Sequence, residues 1–284
     1  MLEGEYISNN TRFCKPSKKS INSLFLRNIV FIDSNYLDQN ILALMSEADI
    51  NTIRLTDDYR LDNLDFLNDY DLSFIRSIDI LSDSVTNIEG LYSLFNLESI
   101  NSTNQKIDYS KFPRLRAIGG ELSLFSYKTL SNIDTLESIG ISNKFKEIDV
   151  SIFSKNSKLK YLMLRSSKIT SLKGLENFKK LECLELFHNR NITSLEGITE
   201  EHNKYLKEIN IYKAPKLFYV NNYLSKLTNI ENLQLACKRV DSLKFLDDLK
   251  KLKMLSIHNK IIEVEDGNKA PLIDALRRTN SKIW

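Results

Sequence analysis

The chain is poor in the residues that most catalytic and cross-linked scaffolds need. Its 284 residues include 8 glycines, 4 prolines, 3 cysteines, 3 histidines and 1 tryptophan. The scattered glycines form no phosphate-cradling loop or nucleophile elbow, and the histidines form no HExxH pair. Cys14, Cys183 and Cys237 are odd in number, irregular in spacing and free of any CxxC. They argue against a disulfide framework and for reduced thiols in a cytosol-like compartment. No stretch approaches the roughly 18 apolar residues of a membrane span. The opening segment MLEGEYISNNTRFCKPSKKS has no apolar signal core, so neither secretion by that route nor membrane insertion is expected, and a cytoplasmic location is. Charge of one sign is also missing. The 40 Lys+Arg against 37 Asp+Glu leave +3, too even a balance for a nucleic-acid partner.

What the chain has in abundance is one short phrase, Leu-x-x-Leu-x-Leu with Ile allowed at each apolar place. It begins at Ile50, Ile75, Leu97, Leu115, Leu136, Leu159, Leu181, Leu206, Ile230 and Leu252, a mean step of about 22 residues. As a short strand, each phrase turns its fourth and sixth residues into a core and its third, fifth and seventh outward. A single rung cannot bury its apolar side alone, so neighbours stack in a parallel array. The return path carries a second apolar series at spacing three: Ile169, Leu172, Leu175, Phe178; likewise Val85, Ile88, Leu91, Leu94 and Val240, Leu243, Leu246, Leu249. That spacing predicts 3₁₀ or short helical returns.

The stretches ITSLKGLENFKKLECLEL (169–186) and ITSLEGI (192–198) resemble the leucine-rich repeats of the 22-residue subclass found in the phosphatase-1 regulatory subunit and the bacterial internalins. The resemblance spans residues 50 to about 264. It implies an α/β solenoid with a curved parallel sheet on its concave face and short or irregular returns on its convex face. Such repeats usually place Asn three residues past the sixth position. Here that site holds Asp58, Asp83, Ser167, Asn189, Ala214, Lys238 and Lys260, so irregular turns are expected.

The second residue of successive rungs alternates in sign: Arg76, Glu98, Arg116, Glu137, Lys160, Glu182, Lys207, Glu231, Lys253. Stacking about 5 Å apart would set each charge between two opposite ones, a device that rewards correct register rather than a docking edge. At the ends, residues 1–49 are expected to form an amino-terminal cap. Leu26, Ile29 and Phe31 supply a degenerate rung there, and a helix near 36–48, capped by Ser34 or Asn35, presents Leu37, Ile41, Leu44, Met45 and Ala48. Residues 1–20 are expected to be loosely ordered or a small addition to this cap. Repeats fill 50–264. Residues 265–284 form a helical cap that starts near Pro271, with Leu272, Ile273 and Leu276 on the last rung.

Chemistry is sparse. Cys183, His188 and Cys237 have metal-binding side chains but no ligand spacing, and isolated or part-buried groups are the expectation, with no cofactor or metal. Glu200, Glu201 and His202 fall in a polar insertion expected to be a solvated loop. The outward row carries more information. Ala117, Gly119, Ser138, Gly140 and Ser142 leave a small-residue floor, after which the character changes. Tyr161, Met163, Arg165, Cys183, Glu185, Phe187, His188, Glu208, Tyr212, Met254 and His258 are the candidate partner-binding residues, a mixture that interface centres favour. With Glu185, Glu208 and Asp79 against few bases, a protein partner with a basic component is expected. Taken together, these features suggest a monomeric, non-enzymatic binding module, more narrowly an immunity-type inhibitor of a toxin. A regulatory subunit of an enzyme such as a phosphatase and an enzyme built on Cys183 and His188 are the alternatives.

Because Leu184 and Leu186 both enter the core, Leu184→Asp is expected to cost about 3–5 kcal/mol and to abolish cooperative thermal unfolding, read by circular dichroism. Unchanged melting would place Leu184 outside the core.

Overall fold

A computed structural model describes residues 5–8, 11–14, 28–33, 37, 39–47, 49–103, 105–130, 133–142, 145, 147–257 and 263–279. These fall into two compact units, Met1–Ser138 and Ile139–Trp284. Of the positions singled out above, Leu26, Ser34, Asn35, Ala48, His258 and Lys260 lie outside the described residues.

In the first unit, β1 (Glu5–Ser8) and β2 (Thr11–Cys14) pair antiparallel, and β2 pairs antiparallel with β3 (Asn28–Ile32). Helix α1 (Gln39–Glu47) follows, with Leu37, Ile41 and Met45 buried. From β3 onward the pairing is parallel, through β4 (Ile50–Leu55), β5 (Ser77–Ile80), β6 (Ser99–Thr103) and β7 (Ala117–Glu121), before helix α2 (Leu124–Leu130).

In the second unit, β8 (Ser138–Ser142), which starts at the last residue of the first unit, precedes β9 (Tyr161–Arg165), β10 (Cys183–Phe187) and β11 (Glu208–Tyr212). Helix α3 (Asn221–Leu224), β12 (Asn232–Leu235), β13 (Arg239–Val240), α4 (Phe245–Asp248), β14 (Met254–Ile257), β15 (Glu263–Val264) and α5 (Ala270–Thr279) complete it. Strands β9, β10, β11, β12 and β14 pair parallel in that order, and β13 pairs with β15 in a separate ribbon. Among the described residues no helix is long and apolar enough to cross a membrane.

The phrase dictates this pattern. The first position of all ten rungs, from Ile50 to Leu252, is buried, as are fourth- and sixth-position pairs such as Ile53/Leu55, Leu184/Leu186 and Leu255/Ile257. Burying each such side chain contributes about 1.5–3 kcal/mol before the opposing chain entropy is subtracted. The returns are tight as well. Leu91 N–H donates to the Ile88 carbonyl at 2.9 Å, Leu175 to Leu172 at 2.9 Å and Phe178 to Leu175 at 2.8 Å, the three-residue closure that the apolar spacing predicts. Two glycines let successive returns come close. Gly174 and Gly197 adopt φ of 98° and 108°. A Cβ on Gly197 would lie 2.0 Å from the Leu172 carbonyl oxygen, so only glycine fits there.

Four expectations need correction. First, Val30 and Ile32, not Ile29 and Phe31, align with the core residues Ile53 and Leu55, because the register shifts between Asn28 and Ile29. Ile29 to Ile32 is apolar at every position, so no alternation fixes which face goes inward. Phe31 instead meets the Arg54 guanidinium, 5.5 Å from its ring centre. Second, three successive turns are alike despite the missing asparagines. Ser166, His188 and Lys213, each just past a strand, adopt φ of 53°, 58° and 54°. Asn189 does satisfy the backbone at its turn as the repeat's asparagine should. Its Nδ2 donates to the Leu164 carbonyl at 2.8 Å, while Oδ1 accepts from Ser167 N–H at 2.9 Å and Ser167 Oγ at 2.6 Å.

Third, His202 is buried rather than solvated. It sits in a 3₁₀ segment over Glu200–Lys204, where Nδ1 accepts from Thr199 N–H at 3.0 Å and Nε2 lies 3.1 Å from the Leu175 carbonyl. That pairing specifies a neutral ring protonated on Nε2. Fourth, Ile273 in α5 is exposed. Leu272 and Ala275 are buried, and Arg278 reaches back to the Leu246 carbonyl at 3.0 Å.

The charge ladder is bonded through its backbone and through its side chains. Glu98 N–H donates to the Arg76 carbonyl at 2.7 Å, Glu182 to Lys160 at 2.7 Å and Lys253 to Glu231 at 2.7 Å. Glu98 lies between Arg76 (3.8 Å) and Arg116 (3.4 Å), and Arg116 also holds Glu137 at 2.7 Å. Glu231 lies between Lys207 (3.8 Å) and Lys253 (2.5 Å).

Glu98→Lys is therefore expected to destabilise the protein by about 1 kcal/mol in low salt and by less at 1 M salt in denaturant titrations. Equal stability at both salts would show the ladder to be energetically silent. Burial holds the His202 pKa below its ordinary value, against the opposing pull of its backbone hydrogen bonds and of nearby Glu201 and Glu176. A depressed histidine contributes stability that is complete above the unfolded value of about 6.5 and is lost as pH falls below it. The Tm difference between wild type and His202→Gln is expected to shrink from pH 7.5 to pH 5.5. A constant difference would contradict a neutral, buried ring.

Candidate functional site

Parallel pairing in register turns the outward positions of the second unit into three columns. The third-position column runs Tyr161, Cys183, Glu208, Asn232, Met254; the fifth runs Met163, Glu185, Asn210, Gln234, Ser256; the seventh begins Arg165, Phe187, Tyr212. Ten of the eleven sequence-selected residues thus share this stretch, and the remaining one, His258, lies outside the described residues. Met254 is exposed and Met163 is buried, while Tyr161, Cys183, Glu185, Phe187, His188, Glu208 and Tyr212 are partly exposed.

The columns differ in chemistry. Glu185 accepts a short hydrogen bond from the Tyr161 hydroxyl on Oε2 and one from Asn210 Nδ2 at 3.0 Å on Oε1. Asn210 Nδ2 also donates to Glu208 Oε1 at 2.7 Å, so one amide bridges two carboxylates. Beside them, the Cys183 thiol is pushed far above its ordinary value, by burial first and then by Glu208, Glu185 and Glu182. The Tyr161 phenol is driven upward by burial and by Glu185.

The seventh column is cationic and aromatic. The Arg165 guanidinium lies 5.5 Å from the Phe187 ring centre and Lys213 Nζ lies 5.2 Å from that of Tyr212, while the His188 ring meets Tyr212 edge-on at 5.6 Å. Partial burial lowers the His188 pKa, helped by Lys213, Arg165 and Arg190.

Several residues do not join. Cys237 is fully buried, with its thiol pushed up to about 12 by burial, and the donor atoms that gather around Cys183 include neither His188 nor Cys237. Asp79 is fully buried and clamped by Arg54, so it is not a free acid for a basic partner. The small-residue floor is closed as well. Ala117, Gly119, Ser138 and Gly140 are all buried, and the Asn101 side chain leans to 3.1 Å from where a Cβ on Gly119 would stand. In the first unit the third-position residues Thr52, Ser77, Ser99 and Ser138 are likewise out of water.

Sequence reasoning missed Asn210 as a site residue, along with Asn232 and Gln234. Each occupies the same rung position as a residue that was selected, and that shared position was the available signal.

The family model for leucine rich repeats matches residues 134–190. Its match sits on the same ladder of rungs that the strands display. Residues 134–190 are leucine-rich repeats, and the chain has the leucine-rich repeat fold. An internalin (inlF) from Listeria monocytogenes superimposes with a TM-score of 0.62 at 18% identity, covering 85% of this chain and 69% of that one. Internalin C2 from the same organism gives 0.52 at 17%, covering 75% and 83%. A TLR13 chain solved in complex with ssRNA13 gives 0.55 at 20%, covering 74% of this chain and 33% of that one. At these identities the likeness concerns the leucine-rich repeat fold alone. No curated protein matches the sequence.

With its proton held by burial and by three nearby carboxylates, Cys183 is expected to alkylate slowly with iodoacetamide at pH 8, and Glu208→Gln is expected to accelerate it severalfold, followed by peptide mass spectrometry. Equal rates would show that the carboxylates do not control the thiol.

Proposed function

We propose that this leucine-rich repeat protein is a non-enzymatic binding module that grips a protein partner with the open face of its second unit. The observation that carries this reading is the juxtaposition of two acids on the third- and fifth-position columns, Glu208 and Glu185, with the cationic aromatic seventh column, Arg165, Phe187 and Tyr212, and the adjoining His188. Aromatic side chains set in fixed polar surroundings supply contact area at small entropic cost, and charges of both signs side by side give specificity. Leucine-rich repeat sheets commonly serve protein–protein interaction. The partner this face suits has a basic segment over β10–β11 at their third and fifth positions and an acidic or carbonyl-rich segment over the seventh. A basic toxin or enzyme domain held by an immunity-type inhibitor in the cytoplasm fits that description. So does an enzyme held by a regulatory subunit, to which the sequence resemblance points.

The test is affinity capture of the partner with wild type beside a Phe187→Glu/Tyr212→Glu double variant whose folding is checked by circular dichroism. Loss of one stoichiometric protein in the variant, with capture by wild type weakening as salt rises, is the expected result. Undiminished capture by the variant would move the interface away from this face.

A further inference from the structure

We propose that Cys183, Glu185 and Glu208 form a site for a divalent cation of borderline softness, with Zn²⁺ as the best match. The thiol sulfur and one carboxylate oxygen from each acid all lie within 4.8 Å of one another, the one such set among the described residues. They converge because Cys183 and Glu208 face each other in the β10–β11 register while Glu185 stands two residues along the same face. Modest side-chain rotation brings three donors at that spacing to the roughly 2.0–2.3 Å bonds that zinc requires.

The charge balance supports the same reading independently of the donor geometry. Several other acids of the rungs are held by cations: Asp79, at the same fifth position as Glu185, is clamped by Arg54, and Glu98 and Glu231 each lie between two bases. Among the described residues no lysine or arginine ion-pairs with Glu185 or Glu208. Their donors are neutral, Tyr161 Oη and Asn210 Nδ2. These donors orient the carboxylates as outer hydrogen-bonding groups do around metal ligands, and each carboxylate oxygen keeps a lone pair free. Two carboxylates and a thiol gathered without a cation make a locally unfavourable arrangement that a dication relieves.

The donor set selects the ion. A thiolate disfavours Mg²⁺ and Ca²⁺, while one sulfur and two oxygens with an open fourth position suit Zn²⁺. On binding, the Cys183 S–H bond breaks, a Zn–S bond forms and the proton passes to solvent. No electrons are transferred. The fourth position, on the open side of the sheet, would be available to water or to a side chain of a bound protein.

The experiment uses the full chain, freed of metal with chelator and titrated with Zn²⁺ against a chromogenic competitor, then with Co²⁺ as a spectroscopic substitute. One equivalent of Zn²⁺ is expected, with a sulfur-to-cobalt charge-transfer band that persists in Cys14→Ser. Cys183→Ser is expected to abolish the band, and both it and Glu208→Gln are expected to weaken Zn²⁺ binding more than tenfold while far-ultraviolet circular dichroism is unchanged. Should Cys183→Ser fail to fold, Glu208→Gln, which preserves shape, carries the decision alone. No Zn²⁺ uptake by wild type, or uptake unaltered in a folded Glu208→Gln, would overturn the proposal.

Discussion

Everything on this protein's surface follows from one constraint, the in-register parallel hydrogen bonding of successive rungs. Because the second residue of one rung donates to the carbonyl of the second residue of the rung before, as in Glu182 to Lys160 and Lys253 to Glu231, the register is fixed, and a slip by one residue would invert a rung's faces. Within each unit, equivalent positions therefore align in columns. The fourth and sixth positions become the apolar core, the second becomes a charge ladder, and the third, fifth and seventh become the places where chemistry can be displayed. The ladder adds a penalty for slippage, since a shift by one rung would set like charges against each other.

The columns that face outward are not equally open. Where outward residues are small, as at Ser77, Ser99, Ala117 and Gly119, the row leaves solvent, and at Gly119 the Asn101 side chain stands against the backbone. Where they are large, as from Tyr161 through Tyr212, most side chains stay partly exposed and sort into an acidic strip with a thiol and a cationic aromatic strip. Side-chain size thus decides which part of the sheet can meet a partner, and the polarity of the strips decides what kind.

The repeat, its strands and its 3₁₀ returns were legible because each rests on periodicity, which ten copies make hard to mistake. The mixed patch was legible for the same reason, since position in the phrase tells which residues share a face. Three features were not. The face of Phe31 was hidden because Ile29 to Ile32 is uniformly apolar and a bulge shifts the register. The burial of Asp79 and of the small-residue row was hidden because alternation predicts direction and not what a neighbour's side chain covers. The role of His202 was hidden because the polar run Glu200–Lys204 looks solvated in sequence, whereas its 3₁₀ turn directs the imidazole at the Leu175 carbonyl. The cluster of Cys183, Glu185 and Glu208 lies between these cases. Cys183 and Glu208 occupy the same rung position 25 residues apart, so the phrase aligns them, while only the side-chain geometry shows that their donors meet.

Hydroxyl-radical footprinting of the chain with and without its captured partner, read residue by residue, probes the proposed working face most directly. Tyr161, Phe187, Tyr212 and Met254 are expected to lose reactivity together in the complex, while the exposed Phe95, Ile148 and Tyr219 keep theirs. Protection of Phe95, Ile148 or Tyr219 with the columns left reactive would contradict that assignment and place the working surface of this protein elsewhere.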